Sequence, residues 1–155
     1  MTWQQFVLEE PRLAEFVRER LHGRVAYLAT LNAKGSPRLH PVTPVIDNHR
    51  LLVFMEPNSP KGHDLRRDGR YALHCAVEDA RGGRGEVLVR GRGHVQPPAA
   101  AAEAADTAEA PPAERYVMFE LEISEVLVVH TAAEGSRRTL WRPHGARPTP
   151  PRTSG

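Results

Sequence analysis

The segment PRLHPVTPVI (37–46) alternates as a strand does, yet it carries Pro37, Pro41 and Pro44. Proline donates no N–H to a ladder, so a central strand rejects it. These residues must form an edge, bent or bulged strand whose backbone is partly free for another partner. Around that fixed point the chain reads as a run of short strands: RVAYLATL (24–31), LLVFM (51–55), YALHCAV (71–77), EVLVRGRGHV (86–95), YVMFELEI (116–123), VLVVHT (126–131) and TLWRP (139–143). NAKGS and DNHR, tight-turn sequences, join 24–31, 37–46 and 51–55 into an antiparallel meander.

The helical signals lie elsewhere. Thr2 with Gln5 three residues on resembles a capping box, and Pro11 suits the first turn of a second helix. Leu13, Phe16, Val17 and Leu21 then share one face, and Gly23 ends it. After the third strand, Asn58, Ser59 and Pro60 lead into a short helix ending near Asp68 and Gly69. The pattern predicts a mainly β (α+β) chain: an antiparallel barrel with N-terminal helices and a short helix after strand three. ARGGRG (80–85) reads as a mobile loop. The low-complexity stretch 97–114 favours helix through its alanines but offers nothing to anchor a core. One domain is expected over 1–143, with a disordered Pro-rich tail at 144–155.

Composition narrows the chemistry. A single cysteine, Cys75, excludes an intramolecular disulfide or a multi-Cys zinc site, and in YALHCAV it reads as a buried small hydrophobe. The eight histidines show neither HxxxH nor HxH spacing, so no metal site is expected. GGRGEVLVRGRG lacks interleaved aromatics and the net charge is only +2, which argues against nucleic acid. No stretch is long and apolar enough to span a membrane, and MTWQQFVLEE lacks the features of a secretory signal, so a cytoplasmic location is expected.

Of 21 basic residues only two, Lys34 and Lys61, are lysines. Lys61 falls at a predicted helix start, where the macrodipole disfavours a cation. An anion bound by Ser59, Lys61 and the free N–H groups there would explain it; an ordinary surface lysine is the other reading. Alternation places Arg38, His40 and Val42 on one face of 37–46 and Leu39, Pro41 and Thr43 on the other. The Arg38 guanidinium suits a phosphate or the carbonyls of a flat heterocycle, or it is a solvated edge-strand charge. Arg66, Arg67 and Arg70 form a second basic cluster, either a solvated face or a holder for a longer phosphorylated tail.

Across residues 25–77 the chain closely resembles the pyridoxamine 5'-phosphate oxidase-like, flavin-binding split-barrel proteins, especially their actinobacterial members. The resemblance rests on an ordered series: a first strand ending in LATL, then GSPR, a Ser-x-Lys loop, and DLRRDGR. Extended over roughly 3–143, it implies a six- to eight-stranded split barrel, a homodimer, and two FMN sites at the subunit interface. It implies that Arg38, Leu39, His40, Pro41, Val42 and Thr43 line the isoalloxazine and ribityl chain. Phe54 and Met55 would pass beneath the ring, Ser59 and Lys61 would hold the phosphate, and Trp141 would approach from the partner subunit. Taken alone, a tryptophan in a short last strand also reads as core or interface filler.

The departures concern the substrate half. Thr43 stands where true pyridoxamine-phosphate oxidases carry a substrate-holding lysine. An alanine-rich stretch, 99–110, replaces their Tyr, Arg and Ser, and WRPHGAR does not supply their Arg-x-His-Asp-Arg signature. The expectation is an FMN-dependent oxidoreductase of unknown small-molecule substrate or electron acceptor. Its rivals are an F420 (deazaflavin) reductase of the same fold, with Arg66, Arg67 and Arg70 assisting an anionic tail, and a non-catalytic flavin- or haem-binding module using His40 or His74.

Overall fold

A computed structural model describes residues 1–78, 83–105, 114–132 and 135–144. Thr2 caps α1 (Trp3–Glu9) through the expected capping box, and Pro11 opens α2 (Pro11–Leu21). Trp3, Phe6, Ala14, Val17 and Leu21 are buried, so both helices seal one side of a curled sheet. Gly23 adopts φ +65°, a conformation that favours glycine, where the chain leaves α2.

The strands are β1 (Ala26–Leu31), β2 (Pro37–Val42), β3 (Val45–Ile46), β4 (Leu51–Met55), β5 (Arg70–Cys75), β6 (Glu86–Val95), β7 (Val117–Ala132) and β8 (Gly135–Trp141). They form one antiparallel sheet in the order β2-β1-β5-β6-β7-β4-β3, with β8 added to β7. The predicted strand 37–46 is therefore two. It breaks at Thr43 and Pro44, and the halves β2 and β3 end on opposite edges of the same sheet. Consecutive residues can reach both edges only if the sheet curls round on itself. The result is the split barrel, with β2 and β3 as its two edges.

Two other expectations give way. Residues 116–123 and 126–131 belong to a single strand, β7, of 16 residues. Ser124 is an extra residue within it: Arg90 faces Glu125 while Gly91 faces Ile123. This is a β-bulge, and the polar residues around it imitate a turn in the sequence. A Cβ on Gly91 would lie 1.7 Å from the Glu122 carbonyl oxygen, so only glycine fits beside the bulge. The alanine-rich stretch does anchor: α4 (Pro98–Ala105) buries Ala104 in a second apolar cluster with Val45, Leu52 and Met118. Residues 79–82, 106–113, 133–134 and the tail from 145 lie outside the described residues.

Helix α3 (Pro60–Arg67) starts at Ser59, whose Oγ accepts from the Gly62 N–H at 3.2 Å. It lies against β1 and β6. Among the described residues no helix is long and apolar enough to cross a membrane.

Candidate functional site at the open edge of the barrel

Strand β2 has only one ladder partner, β1, so one side of its backbone is free, as the prolines require. Its alternation is as expected: Pro37, Leu39 and Pro41 are exposed, whereas Arg38 and His40 are half-buried and Val42 is buried. The inward set meets α3. Arg38 Nε donates to Asp64 Oδ2 at 2.8 Å. Thr30 Oγ1, on the neighbouring strand, donates to the same oxygen at 2.8 Å, and Arg67 Nη2 donates to Oδ1 at 3.0 Å. One carboxylate, 2% exposed, thus ties β1, β2 and α3 together. Burial alone would raise the Asp64 carboxyl, but the hydrogen bonds from Arg38, Thr30 and Arg67 outweigh it and hold it below the usual aspartate range.

The remaining polar groups of the corner lack partners. Lys61, in the first turn of α3, makes no hydrogen bond or ion pair with any described residue. His40 Nε2 is buried and has no hydrogen-bond partner. Burial, and then the positive charges of Lys61 and Arg38, push His40 below its ordinary pKa, with Asp64 opposing. The imidazole is therefore neutral near pH 7. Neither terminal nitrogen of Arg38 donates to a described residue; the Nε contact with Asp64 leaves that fork unused. The corner holds Arg38, Lys61 and Arg67 against one acid, already shared among three donors. Uncompensated cations beside an orphaned imidazole nitrogen suit an anionic ligand with further hydrogen-bonding atoms.

Met55 and Ser59 form the floor. Met55 is 2% exposed, and a Cβ on Gly62 would stand 3.0 Å from Ser59 Oγ and 3.3 Å from Met55 Sδ. Glycine at 62 lets the helix start sit down on β4. Ser59 Oγ spends its acceptor on the cap and keeps its O–H to donate. Arg38, His40, Met55, Ser59 and Lys61 are thus brought to one corner.

The other candidate residues are not. Leu39 and Pro41 are on the outer face of β2, and Thr43 is exposed beyond its end. Phe54 lies on the opposite face of β4 from Met55, against the Leu52–Met118 cluster, so the two side chains cannot both meet one ring. Trp141 is 8% exposed in the main core, its ring centroid 4.6 Å from that of Phe6. That is the core-filling placement. Arg66 donates to the Pro57 carbonyl and stands over the Phe119 ring, apart from Arg67 and Arg70. His74 Nδ1 is 2.6 Å from the Cys75 carbonyl and Nε2 3.6 Å from Glu86, so its ring is held by its neighbours.

Asp64 and Thr30 were not singled out from sequence, although a signal existed. Ala26, Leu28 and Thr30 form the buried face of β1, so a hydroxyl stands where alternation demands an apolar residue. Such a group needs an inward polar partner.

Comparison with known proteins places the fold and the family. No curated protein sequence matches the chain. Among solved structures, a pyridoxamine 5'-phosphate oxidase-related, FMN-binding protein from Nostoc punctiforme superposes with TM-score 0.61 at 13% identity, over 86% of this chain and 89% of that one. An F420 reductase gives 0.56 at 17%, over 70% and 94%. A haem-binding protein from Mycobacterium smegmatis gives 0.67 at 18%, over 86% of this chain and 59% of that one. At such identities these structures establish the fold. The family model for pyridoxamine 5'-phosphate oxidase matches residues 10–130, most of the sequence, and the chain belongs to that family.

Proposed function

We propose that the protein binds FMN at the β2–α3 corner, between two copies of the chain, and acts as a flavin-dependent oxidoreductase. The observation that carries this reading is the corner itself: Arg38 and Lys61 without a free counter-anion, beside the unpartnered His40 Nε2. The terminal nitrogens of Arg38, the Lys61 ammonium and the Ser59 O–H would take the phosphate. His40 Nε2 would meet a polar atom of the ribityl chain or ring. A bound flavin supplies hydride or electron transfer; the chain's own residues bind it, orient it and exclude water. The Nostoc relative is itself an FMN-binding protein.

The outer surface supports two copies. In register, Pro41, Tyr27, His74, Leu88, Leu127 and Leu140 form one row across six strands on the solvent face. Leu39 is 65% exposed nearby, and Ala29, Leu31, Pro37 and Ala72 line a hollow of about 360 Å³ whose rim includes Arg70, Arg90 and Ser124. A largely apolar face with polar groups set into it suits an isologous partner. Pyridoxamine phosphate is not the proposed substrate, since Thr43 replaces the family's substrate lysine and is exposed.

One observation favours F420 as the second reading. At the far end of α3, about 12 Å from its start, Arg67, Arg70 and Arg92 line a hollow of about 490 Å³. Arg70 and Arg92 are direct cross-strand partners; Asp68 lines the same hollow and pairs with Arg70, so an anionic tail would meet Arg92 across from that pair. Titrating apoprotein with FMN and with F420 separates the two. Micromolar FMN binding and a flavin absorption spectrum in purified protein are expected. F420 binding without FMN binding moves the function to the second reading, and a Soret band from bound haem rejects both.

A further inference from the structure

The carboxylate at the centre of the corner is assigned no role by the family resemblance, yet more of the geometry converges on Asp64 than on any other side chain there. A buried carboxylate is costly unless fully hydrogen-bonded, and this one meets that condition with a hydroxyl and two guanidiniums from three separate elements. Its bond to Arg38 is also directional. It takes the inner Nε–H at 2.8 Å, and the Arg38 side chain is 36% exposed. A guanidinium is planar, so fixing Nε fixes the plane, and neither terminal nitrogen donates to a described residue. On an edge strand with no second ladder partner, nothing else described here orients that side chain.

We infer that Asp64 is the positioning residue of the anion corner: it holds Arg38 by Nε and so presents the two outer nitrogens to the cofactor's phosphate. This inference rests on the phosphate-binding reading above. Thr30 and Arg67 serve the same end, since each fixes one carboxylate oxygen and prevents the carboxyl from rotating. Asp64 does not touch the cofactor; it acts through Arg38.

The purely structural alternative is that Asp64 only pins α3 to the barrel, and a double-mutant cycle separates the two. FMN and riboflavin affinities are measured for wild type, Asp64→Asn, Arg38→Ala and the double variant, with melting temperature and oligomeric state followed in each. Asp64→Asn is expected to weaken FMN by about tenfold, the scale of one charge-assisted contact. It should leave riboflavin, which has no phosphate, within about twofold, and should cost nothing further once Arg38 is alanine. In apoprotein, the slowly exchanging Arg38 Nε–H resonance should be lost in Asp64→Asn. If that variant fails to fold, Asp64→Glu, which keeps the charge but displaces the acceptor, must show the same selective loss of FMN. Unchanged FMN affinity in a folded variant overturns the inference alone, as does an equal loss of FMN and riboflavin or an undiminished effect in the Arg38→Ala background. Failure of wild-type protein to bind FMN overturns the functional reading as well.

Discussion

Arg38 and Leu39 are neighbours on β2, and their side chains sit in surroundings that a half-buried strand would normally exchange. In an antiparallel sheet with one wet face, apolar residues turn inward and polar ones outward. Here the inward side carries Arg38 and His40 beside Asp64 and Lys61, while the outward side carries Pro37, Leu39 and Pro41 with Leu39 65% exposed. On β4 both faces are covered and wholly apolar, with Leu51, Leu52, Val53 and Met55 all buried. The inversion on β2 is what the proposed function would require of this strand: an anion on one side and an apolar surface on the other.

Changes to β2 and its neighbours should break the two faces separately. The largest effect is expected from Leu39→Asp. Burying a leucine is worth about 1.5–3 kcal/mol, and a two-fold dimer would lose it twice. Sedimentation or light scattering should show the dimer dissociating at concentrations where wild type is intact, and an unaltered dimer would mean the outer face is not the interface. Next is Lys61→Ala, which should raise the FMN Kd about five- to hundredfold, or about 1–3 kcal/mol, with the fold retained; calorimetric titration reads it directly.

Thr30→Val should act on the inner face without touching either cation. It leaves Asp64 with two donors in place of three, and the expected loss is about 1–2 kcal/mol of unfolding free energy in urea. The smallest effect is a pH slope. His40 is held below its ordinary pKa by burial and by Lys61 and Arg38, so the unfolded state binds more protons in mild acid. Its contribution is fully present above about pH 6.5 and falls as the pH drops toward the folded value. Melting curves of His40→Asn should therefore decline less steeply between about pH 7 and pH 5 than those of wild type. Equal slopes would show that His40 does not titrate differently on folding.

The sequence made some of this legible, and for definite reasons. Three prolines in ten residues required an edge strand, and alternation separated Arg38 and His40 from Leu39 and Pro41. Ser59 announced a helix start, which brought Lys61 with it. Other features depend on partners far along the chain. Asp64 in KGHDLRR looks like one more surface charge until β1 and β2 deliver Thr30 and Arg38 to it, 34 and 26 residues away. The bulge at Ser124 looks like a turn because only the β6 register shows that pairing resumes beyond it. Phe54 and Met55 are adjacent in sequence but belong to opposite faces of β4, so a role shared by both side chains was geometrically closed. Trp141 shows the same limit, since only the folded chain reveals the Phe6 ring tilted against it, centroids 4.6 Å apart.

The central claim is that the inward side of β2, with the start of α3, grips the phosphate of a flavin. Parallel calorimetric titrations of apoprotein with FMN and with riboflavin test it most directly, because the ligands share the ring and differ in the phosphate. The expected result is one FMN per chain at micromolar Kd or tighter, with riboflavin at least about tenfold weaker. Equal affinity for the two, or no binding of either, would contradict it.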